Sequence, residues 1–317
     1  MTQTVSLYVG EELGRYGFGH DHPFGPRRQS AFWDAVRESS LDVWARLCNP
    51  VQAPQRVIER FHTPEYVALV QERSEEGHGY LDHGDTPVFK GVYEAAGFVV
   101  GSVLHAVREI MERHTRRAFI PIAGLHHARP ERAAGFCVFN DLGVAIETLK
   151  REYGLSRIAY VDIDAHHGDG IYYSFESDPS VIFADTHEDG RYLYPGTGHA
   201  HERGKDAATG LKLNIPLQPG AQDEDFFAVW PTIEELLRAQ RPEFILLQGG
   251  VDSLAGDPIT HLKFSHRVHA FTTTRLIAVA EDLCEGRLVA TGGGGYNLSN
   301  IARGWTAILR SLLEIEA

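Results

Sequence analysis

The densest cluster of metal-binding residue types in the sequence lies in residues 162–170, which read DIDAHHGDG. Asp164 and His166 are two positions apart, so in an extended segment both side chains point to the same side. A carboxylate oxygen together with an imidazole nitrogen suits zinc or another divalent transition metal. An isolated Asp-x-His pair is more often a polar turn with capping aspartates. Here the clustering of Asp and His directly after an apolar run favours a metal site.

A second pair of histidines, His126 and His127, follows another apolar run. In isolation such a dipeptide is more often part of a surface loop. Beside a metal site, two imidazoles could act as general base and general acid toward a water activated by the metal. Asp162 and Asp169 are not both needed as ligands, so they are available to orient the two imidazoles and set their basicity.

Two further residues could complete such a site. Asp252 would supply a third ligand and leave one position open, as a catalytic metal requires; an N-cap of a helix is an equal alternative. Tyr296 follows the four glycines at 292–295, where close backbone approach would bring its hydroxyl to a developing oxyanion. The alternative there is a core tyrosine after a flexible turn.

The sequence lacks the motifs of enzymes that use a serine or cysteine nucleophile. There is no Gly-x-Ser-x-Gly elbow, and no cysteine stands beside a plausible catalytic triad, which argues against a serine or cysteine nucleophile. The three cysteines, Cys48, Cys137 and Cys284, are scattered, so neither a disulfide framework nor a thiolate zinc site is indicated. A reducing cytoplasm is the predicted compartment.

The elements that would position these residues alternate between strands and helices. The predicted strands are residues 5–9, 118–122, 157–162, 181–185, 210–215, 244–248 and 287–290. The predicted helices are residues 25–46, 63–72, 88–113, 140–152, 226–240, 265–284 and 298–315. This alternation predicts one doubly wound α/β domain over residues 1–317, with a mostly parallel sheet and helices on both faces. Polar and glycine-rich segments follow five of the strands, at the edge where such folds carry their chemistry.

Composition narrows the function class. The 317 residues are 43% hydrophobic and 23% charged, as in ordinary globular proteins, and no run of 18 apolar residues predicts a membrane span. The first ten residues do not resemble a signal peptide. A net charge of −13 argues against direct nucleic-acid binding. The 17 histidines, many of them beside aspartate, point to metal chemistry.

Taken together, these segments resemble the histone deacetylase family, which includes bacterial acetoin-utilisation-type deacetylases and acetylpolyamine amidohydrolases. The similar segments are residues 124–128, 135–141, 162–170, 194–198, 250–258 and 292–297. The similarity covers nearly the whole chain, from about residue 16 to residue 305. It implies the single-domain arginase–deacetylase α/β fold.

The resemblance implies three zinc ligands: Asp164, His166 and Asp252. It implies five catalytic residues: His126, His127, Asp162, Asp169 and Tyr296. In that scheme His127 takes a proton from the attacking water and returns it to the leaving amine, with His126 as its partner and electrostatic support. Asp162 orients His126, Asp169 orients His127, and Tyr296 polarises the acyl carbonyl. The products are a free amine and acetate.

The resemblance also implies five substrate-binding residues: Asp85, Phe136, Tyr194, Ile259 and Arg28. Asp85 would hold the substrate backbone at the rim, and Arg28 would line an inner cavity for acetate. Phe136 and Tyr194 would form two walls of an acyl-lysine tunnel. The family often has Phe where this chain has Tyr194, a departure that would make the rim more polar.

The implied cofactors are one zinc ion per chain, with Fe²⁺ as an alternative in the cell, and a structural potassium ion. Asp162 and Asp185 lie where the family binds potassium. The family commonly has Ser at the second of these positions, so Asp185 changes the expected ligand set.

The predicted substrate is acetyl-lysine in a protein or peptide, with an acetylated polyamine as the alternative. Relatives that prefer polyamines can carry glutamate where this chain has Ile259, which would instead pack against lysine methylenes. Other carboxylates could replace that glutamate: Glu11, Glu12, Asp82 or Glu188. More remote alternatives are an arginase-type ureohydrolase, which needs two manganese ions, and a non-catalytic acyl-lysine reader.

Overall fold

Eight strands form one sheet within residues 5–19 and 22–315, the part of the chain that the computed structural model describes. They are β1 Val5–Tyr8, β2 Arg46–Cys48, β3 Arg117–Ile120, β4 Ile158–Asp162, β5 Val181–Glu188, β6 Lys212–Leu217, β7 Phe244–Gln248 and β8 Leu288–Thr291. Across the sheet they lie in the order β2-β1-β3-β8-β7-β4-β5-β6, and every neighbouring pair is parallel. The predicted parallel α/β architecture is confirmed.

The central strands are continuous runs of buried residues. Every residue of β3, β4, β7 and β8 is buried, as expected for parallel strands that helices cover on both faces. All seven predicted strands are present, with ends that differ from the prediction by a few residues. A short apolar run between turn signals was therefore a sufficient signal for the strands that carry the site.

Ten α-helices accompany the strands in the described part of the chain. They are α1 Glu11–Gly14, α2 Arg28–Glu38, α3 Gln55–Ile58, α4 Pro64–Glu76, α5 Val92–Met111, α6 Asp141–Tyr153, α7 Asp169–Ser174, α8 Asp223–Gln240, α9 His266–Leu283 and α10 Leu298–Leu312. The helices α1, α3 and α7 were not predicted, because each is too short to show a helical repeat. None of the helices described is long and apolar enough to cross a membrane.

The prediction of one helix over residues 25–46 is wrong at both ends. The helix α2 ends at Glu38, Ser40 takes a left-handed φ of 52°, and the chain then enters β2 at Arg46. The strand β2 has three residues at the edge of the sheet. So short a segment carries no periodicity that separates a strand from a continuing helix.

Side-chain capping explains where two of the long helices begin. Thr63 caps α4 by accepting a hydrogen bond from the main-chain N–H of Tyr66, and Pro64 occupies the first helical position; both features are typical of a helix start. Asn140 caps α6 in the same way. The helix α8 begins at Asp223 and contains Pro231, so the proline lies inside the helix and does not mark its start.

Candidate active site

A pocket of about 250 Å³ opens beyond the carboxyl ends of the central strands. Segments after β3, β4, β5, β7 and β8 meet there because these strands are neighbours in the parallel sheet. The lining residues are Asp85, His127, Gly135, Phe136, His166, Leu193, Tyr194, Ile259 and Tyr296. Seven of the thirteen residues predicted for the site therefore share one cavity; five others lie beneath it, and Arg28 lies to one side.

Three of the buried residues have the geometry of a metal centre. One ligand atom each from Asp164, His166 and Asp252 lies within 4.8 Å of the other two. Asp164 and His166 follow β4, whereas Asp252 follows the adjacent strand β7. Two carboxylates and one imidazole suit zinc, and three protein ligands leave a position open to the pocket. The residues therefore fit the metal that the resemblance implies.

The charges at this centre also fit a cation. Burial raises the pKa of Asp252, and the neighbouring charge of Asp164 raises it further, to about 7. Burial opposes protonation of His166, but the two carboxylates outweigh burial and raise its pKa to about 10. Both shifts come from negative charge held out of water without enough positive charge beside it. A divalent cation would neutralise that charge.

Main-chain groups hold the metal-centre carboxylates in place. Asp164 accepts hydrogen bonds from the N–H of His166 (3.0 Å) and of Gly294 (2.8 Å), and Asp252 accepts one from the N–H of Ala165 (2.9 Å). At Gly294 a Cβ atom would lie 2.1 Å from an Asp252 oxygen. The glycine run before Tyr296 is therefore required for close approach of the backbone to the carboxylates.

Each predicted catalytic histidine is bonded to the aspartate predicted to orient it. His126 Nδ1 lies 2.8 Å from Asp162 Oδ2, and His127 Nδ1 lies 2.7 Å from Asp169 Oδ1. The two Nε2 atoms are 3.2 Å apart. Because each Nδ1 faces a carboxylate and so carries a proton, the Nε2 atoms are acceptors unless one histidine is charged. The pair can thus hold one additional proton between them.

The His127–Asp169 pair has a further partner in Arg129. The guanidinium of Arg129 donates to Asp169 Oδ2 at 2.8 Å and lies over the ring of Tyr173. Burial works to raise the pKa of Asp169, but His127 and Arg129 outweigh it and lower the pKa to about 2. Burial, together with the neighbouring His126, lowers the pKa of His127 to about 4. His127 is therefore neutral at neutral pH.

The Tyr296 side chain lines the pocket, and its hydroxyl makes no hydrogen bond to any residue in the described ranges. Its ring packs edge-on against Phe136 at 5.8 Å. The carboxylate of Asp257 fixes its backbone by accepting from the N–H of Tyr296 at 2.9 Å, and also accepts from the N–H of Ile259 at 3.1 Å. The free hydroxyl of Tyr296 is thus available to a ligand in the pocket.

The predicted substrate-binding residues form the upper walls and the mouth. Phe136 and Tyr194 lie on two sides of the cavity, and the ring of Tyr194 lies 5.1 Å from that of His127. Ile259 adds an apolar surface, and Asp85 stands exposed at the mouth. Two of the carboxylates considered as substitutes for a gatekeeper glutamate are already engaged, Asp82 by its own loop and Glu188 by His261.

Arg28 is the one predicted substrate-binding residue that does not line this pocket. It is buried beneath the glycine run, donating to the carbonyl oxygens of Gly295 (2.9 Å) and Gly293 (2.5 Å), and its guanidinium lies 3.8 Å from the centre of the Phe24 ring. It lines a neighbouring cavity that also contacts Tyr296. One guanidinium nitrogen, Nη1, has no hydrogen-bond partner in the described part of the chain.

At the predicted potassium site, both carboxylate oxygens of Asp185 already have hydrogen-bond partners. One oxygen of Asp185 lies 2.7 Å from His187 Nδ1, and the other accepts from the N–H of Gly168 at 2.8 Å. Burial opposes protonation of His187, but the charge of Asp185 outweighs it and raises the pKa. These donors fit a buried Asp–His ion pair better than a potassium ligand set, so potassium stays a prediction.

Two residues that support the site carry no motif and were not predicted. Gln248 donates to Asp164 Oδ2 at 2.8 Å and to the carbonyl oxygen of Gly124 at 3.2 Å. The hydroxyl of Tyr160 donates to Asp162. Gln248 lies in β7 and Tyr160 lies in β4, the two neighbouring strands that lead into the site. A polar side chain in a mostly apolar strand is the signal by which both could have been found.

Comparison with known proteins identifies the family. The histone deacetylase domain model matches residues 22–312, which is most of the chain. The chain belongs to the histone deacetylase family. The predicted family and the fold that it implies are therefore confirmed, and this deacetylase-family chain is a hydrolase that acts on amides.

Individual relatives agree with that assignment. The acetoin utilization protein AcuC of Bacillus subtilis (strain 168) is 34% identical over 325 residues, covering 100% of this chain and 84% of the relative. Histone deacetylase clr6 of Schizosaccharomyces pombe is 33% identical over 312 residues, covering 95% of this chain and 75% of that protein. The crystal structure of the HDA15 HD domain superposes with a TM-score of 0.91 at 26% identity, covering 99% of this chain and 89% of that one.

Proposed function

We propose that this deacetylase removes the acetyl group from acetyl-lysine side chains in proteins or peptides, using one zinc ion per chain, and releases the free amine and acetate. The observation that carries the proposal is the placement of Asp164, His166 and Asp252 at the bottom of an open pocket. The chain would act as one catalytic domain, and Fe²⁺ is the alternative metal in the cell.

A divalent metal at this centre supplies Lewis-acid polarisation of the acyl carbonyl and lowers the pKa of water. The chain's own residues then move the protons. His127 lines the pocket and is neutral, so its Nε2 takes a proton from the attacking water as the oxygen adds to the acyl carbon. When the carbon–nitrogen bond breaks, the same proton passes to the amine. His126 and Asp162, one layer deeper, stabilise the charged His127 while it holds the proton.

Tyr296 completes the reaction geometry. Its side chain lines the pocket and its hydroxyl makes no hydrogen bond among the residues that the structure describes, so it would donate a hydrogen bond to the oxygen that becomes negative as water adds. A donor held in place before the reaction stabilises this oxyanion without reorganisation. Burial and the charges of Asp252 and Asp164 raise the pKa of Tyr296 well above its usual value, which keeps the hydroxyl protonated.

The walls of the pocket support a lysine side chain. Phe136, Tyr194 and Ile259 offer apolar surface to methylene groups, and Asp85 stands at the mouth where a peptide main chain would pass. A free acetylpolyamine has no main-chain N–H groups and carries an ammonium group beyond its acetylated nitrogen. The exposed carboxylate of Asp85 favours an acetylpolyamine as the second candidate, because it would pair with that ammonium group.

A substrate panel tests the proposal. We expect kcat/KM to be higher for an acetyl-lysine peptide than for acetylputrescine or acetylspermidine, with zinc content measured on the same preparation. A polyamine preference of about tenfold or more, which corresponds to about 1.4 kcal/mol, would overturn the choice of substrate. No turnover of any acetyl amide would indicate a reader, and two manganese ions per chain would indicate a ureohydrolase.

The variant Ile259→Glu sharpens the choice. A carboxylate at that wall should raise the polyamine-to-peptide ratio of kcat/KM, because an opposed charge pair in a narrow cleft is stronger than in water. Ile259→Gln is the matched control, with similar size and no charge. Equal ratios in the two variants would show that this wall does not select the substrate.

A further inference from the structure

Residues 79–88 form a closed loop at the mouth of the pocket, and the loop carries Asp85. Two main-chain hydrogen bonds close its base, from the N–H of Leu81 to the carbonyl of Thr86 (2.9 Å) and from the N–H of Val88 to the carbonyl of Gly79 (2.8 Å). Asp85 lies on the exposed part of the loop. An exposed carboxylate on a loop holds one position only if something inside the loop fixes the backbone beneath it.

The Asp82 side chain supplies that fixation. Its Oδ1 accepts hydrogen bonds from the N–H groups of Gly84 (3.0 Å), Asp85 (2.8 Å) and Thr86 (2.8 Å). Its Oδ2 accepts from the hydroxyl of Thr86 at 2.5 Å. Partial burial works to raise the pKa of Asp82, but these hydrogen bonds outweigh burial and lower it. The carboxylate thus stays charged and bonds the residues on which Asp85 sits.

Thr86 extends this network to the tunnel wall. Its buried hydroxyl oxygen accepts a hydrogen bond from the N–H of Phe136 at 3.1 Å. Phe136 has a φ of 68°, a conformation that is uncommon for a residue other than glycine and needs support from its surroundings. On its other side, the hydroxyl of Tyr16 donates to the Phe136 carbonyl at 2.7 Å. Asp82, Thr86 and Phe136 are therefore linked in one chain of hydrogen bonds.

His22 makes a second connection between the loop and the wall. Its Nε2 lies 3.2 Å from the main-chain oxygen of Asp85, and its ring packs edge-on against Phe136 at 4.6 Å. The rim carboxylate and the wall are thus joined twice, through Thr86 and through His22. Of the two connections, the one through Asp82 and Thr86 contains the buried hydroxyl and the larger number of hydrogen bonds.

We propose that Asp82 is a positioning residue that presets Asp85 to receive the main chain of a peptide substrate. This role rests on the proposed function, since it requires a substrate with a main chain. Without Asp82, three N–H groups of the loop bond to water and Asp85 samples many positions. Ordering Asp85 then costs conformational entropy each time a substrate binds. Main-chain recognition should weaken more than hydrolysis of an acetyl amide that reaches only the tunnel.

Paired substrates test this role. The variant Asp82→Ala is assayed with an acetyl-lysine pentapeptide and with N-butylacetamide, which has the acyl group and methylenes but no peptide main chain. We expect the peptide-to-butylacetamide ratio of kcat/KM to fall by about tenfold, the size expected for a lost hydrogen bond to a charged group, mainly through KM. A merely structural defect would lower kcat/KM equally for the two substrates and leave their ratio unchanged. That result would overturn the proposal.

Three variants complete the design. Asp82→Asn keeps an oxygen for the three N–H groups and should restore most of the ratio. Thr86→Val removes the hydroxyl that accepts from the N–H of Phe136 and donates to Asp82 Oδ2, but it keeps the three main-chain N–H bonds to Asp82 Oδ1, so it should lower kcat/KM for both substrates together. Asp34→Ala removes an exposed carboxylate that pairs with Arg37 and should change neither. An Asp82→Asn ratio as low as that of Asp82→Ala would also contradict the proposal.

Hydrogen exchange separates this inference from the substrate assignment. If the unmodified protein does not hydrolyse the peptide, the proposed function fails, but the role of Asp82 remains measurable. In that case Asp82→Ala should still speed amide exchange at residues 84–86 and at residue 136 relative to Asp34→Ala. Unchanged exchange at these amides would show that Asp82 does not hold the loop.

Discussion

The floor and the mouth of the active-site pocket are held in different ways. At the floor, Asp164 and Asp252 are buried and accept hydrogen bonds from main-chain N–H groups and from Gln248. At the mouth, Tyr194 is 45% exposed, and Asp85 depends on one loop for its position. The floor is thus part of the buried core of the protein, whereas the mouth includes exposed residues at the surface.

This contrast separates chemistry from selection. In the proposed reaction, residues at the floor would meet the reacting atoms in a buried site where each interaction is strong, so their loss should reduce kcat. Residues at the mouth meet the rest of the substrate in contact with water, where interactions are weaker, so their loss should act through KM. The same kind of substitution made at both ends should therefore give different kinetic signatures.

The largest difference is expected for carboxylates. Asp164→Ala should lose its metal and lower kcat/KM by more than about 100-fold, the upper end for residues that only orient a metal ligand. Asp85→Ala should retain the metal and act mainly on KM for peptides. Metal content by mass spectrometry and turnover on the same samples check both. Full metal content and activity in Asp164→Ala would remove the assignment of the centre.

A smaller loss is expected at Tyr296. Tyr296→Phe removes only a hydroxyl, and kcat should fall by about 10²–10³, the usual cost of one oxyanion donor. Metal content and thermal stability should stay unchanged, because the hydroxyl has no partner in the described part of the protein. A kcat equal to that of the unmodified protein would mean that this tyrosine is a wall and not a donor.

Arg129 should change the pH dependence more than the maximal rate. In Arg129→Met the carboxylate of Asp169 loses its guanidinium partner, so it stabilises the His127 imidazolium more strongly and the pKa of His127 rises from about 4. Because His127 must be neutral to accept a proton, the acidic limb of the pH profile of kcat/KM should move to higher pH. Arg132→Met, at an exposed pair with Glu131, is the control. A movement to lower pH would contradict this account.

The smallest effect is expected for a second tyrosine. Tyr194→Phe makes the same change as Tyr296→Phe but at the mouth, where the residue is partly exposed. We expect kcat/KM to change by no more than about twofold, as is usual for exposed positions. A loss as large as that of Tyr296→Phe would show that the floor and the mouth are not distinct in the way that their burial indicates.

Much of the fold could be predicted because its signals are local. Seven of the eight strands within the described ranges were found as short apolar runs, and Thr63-Pro64 marked the start of α4. The edge strand β2 was missed, because three residues carry too little pattern. Pro231 lies inside α8. Packing of the rest of the helix compensates for the loss of the one main-chain hydrogen bond that proline removes.

The sequence by itself indicated metal chemistry for this protein, because residues 162–170 bring ligand types together within one strand end and turn. Only the tertiary structure bears on the alternatives left open at Asp252 and Tyr296. Asp252 reaches Asp164 because β7 lies beside β4, and Tyr296 lines the pocket because the backbone of Gly294 passes against both carboxylates. Gln248 and Arg129 make hydrogen bonds that no local pattern reveals. A hydrogen bond between distant residues depends on strand order and loop packing, and neither is encoded in the spacing of a motif.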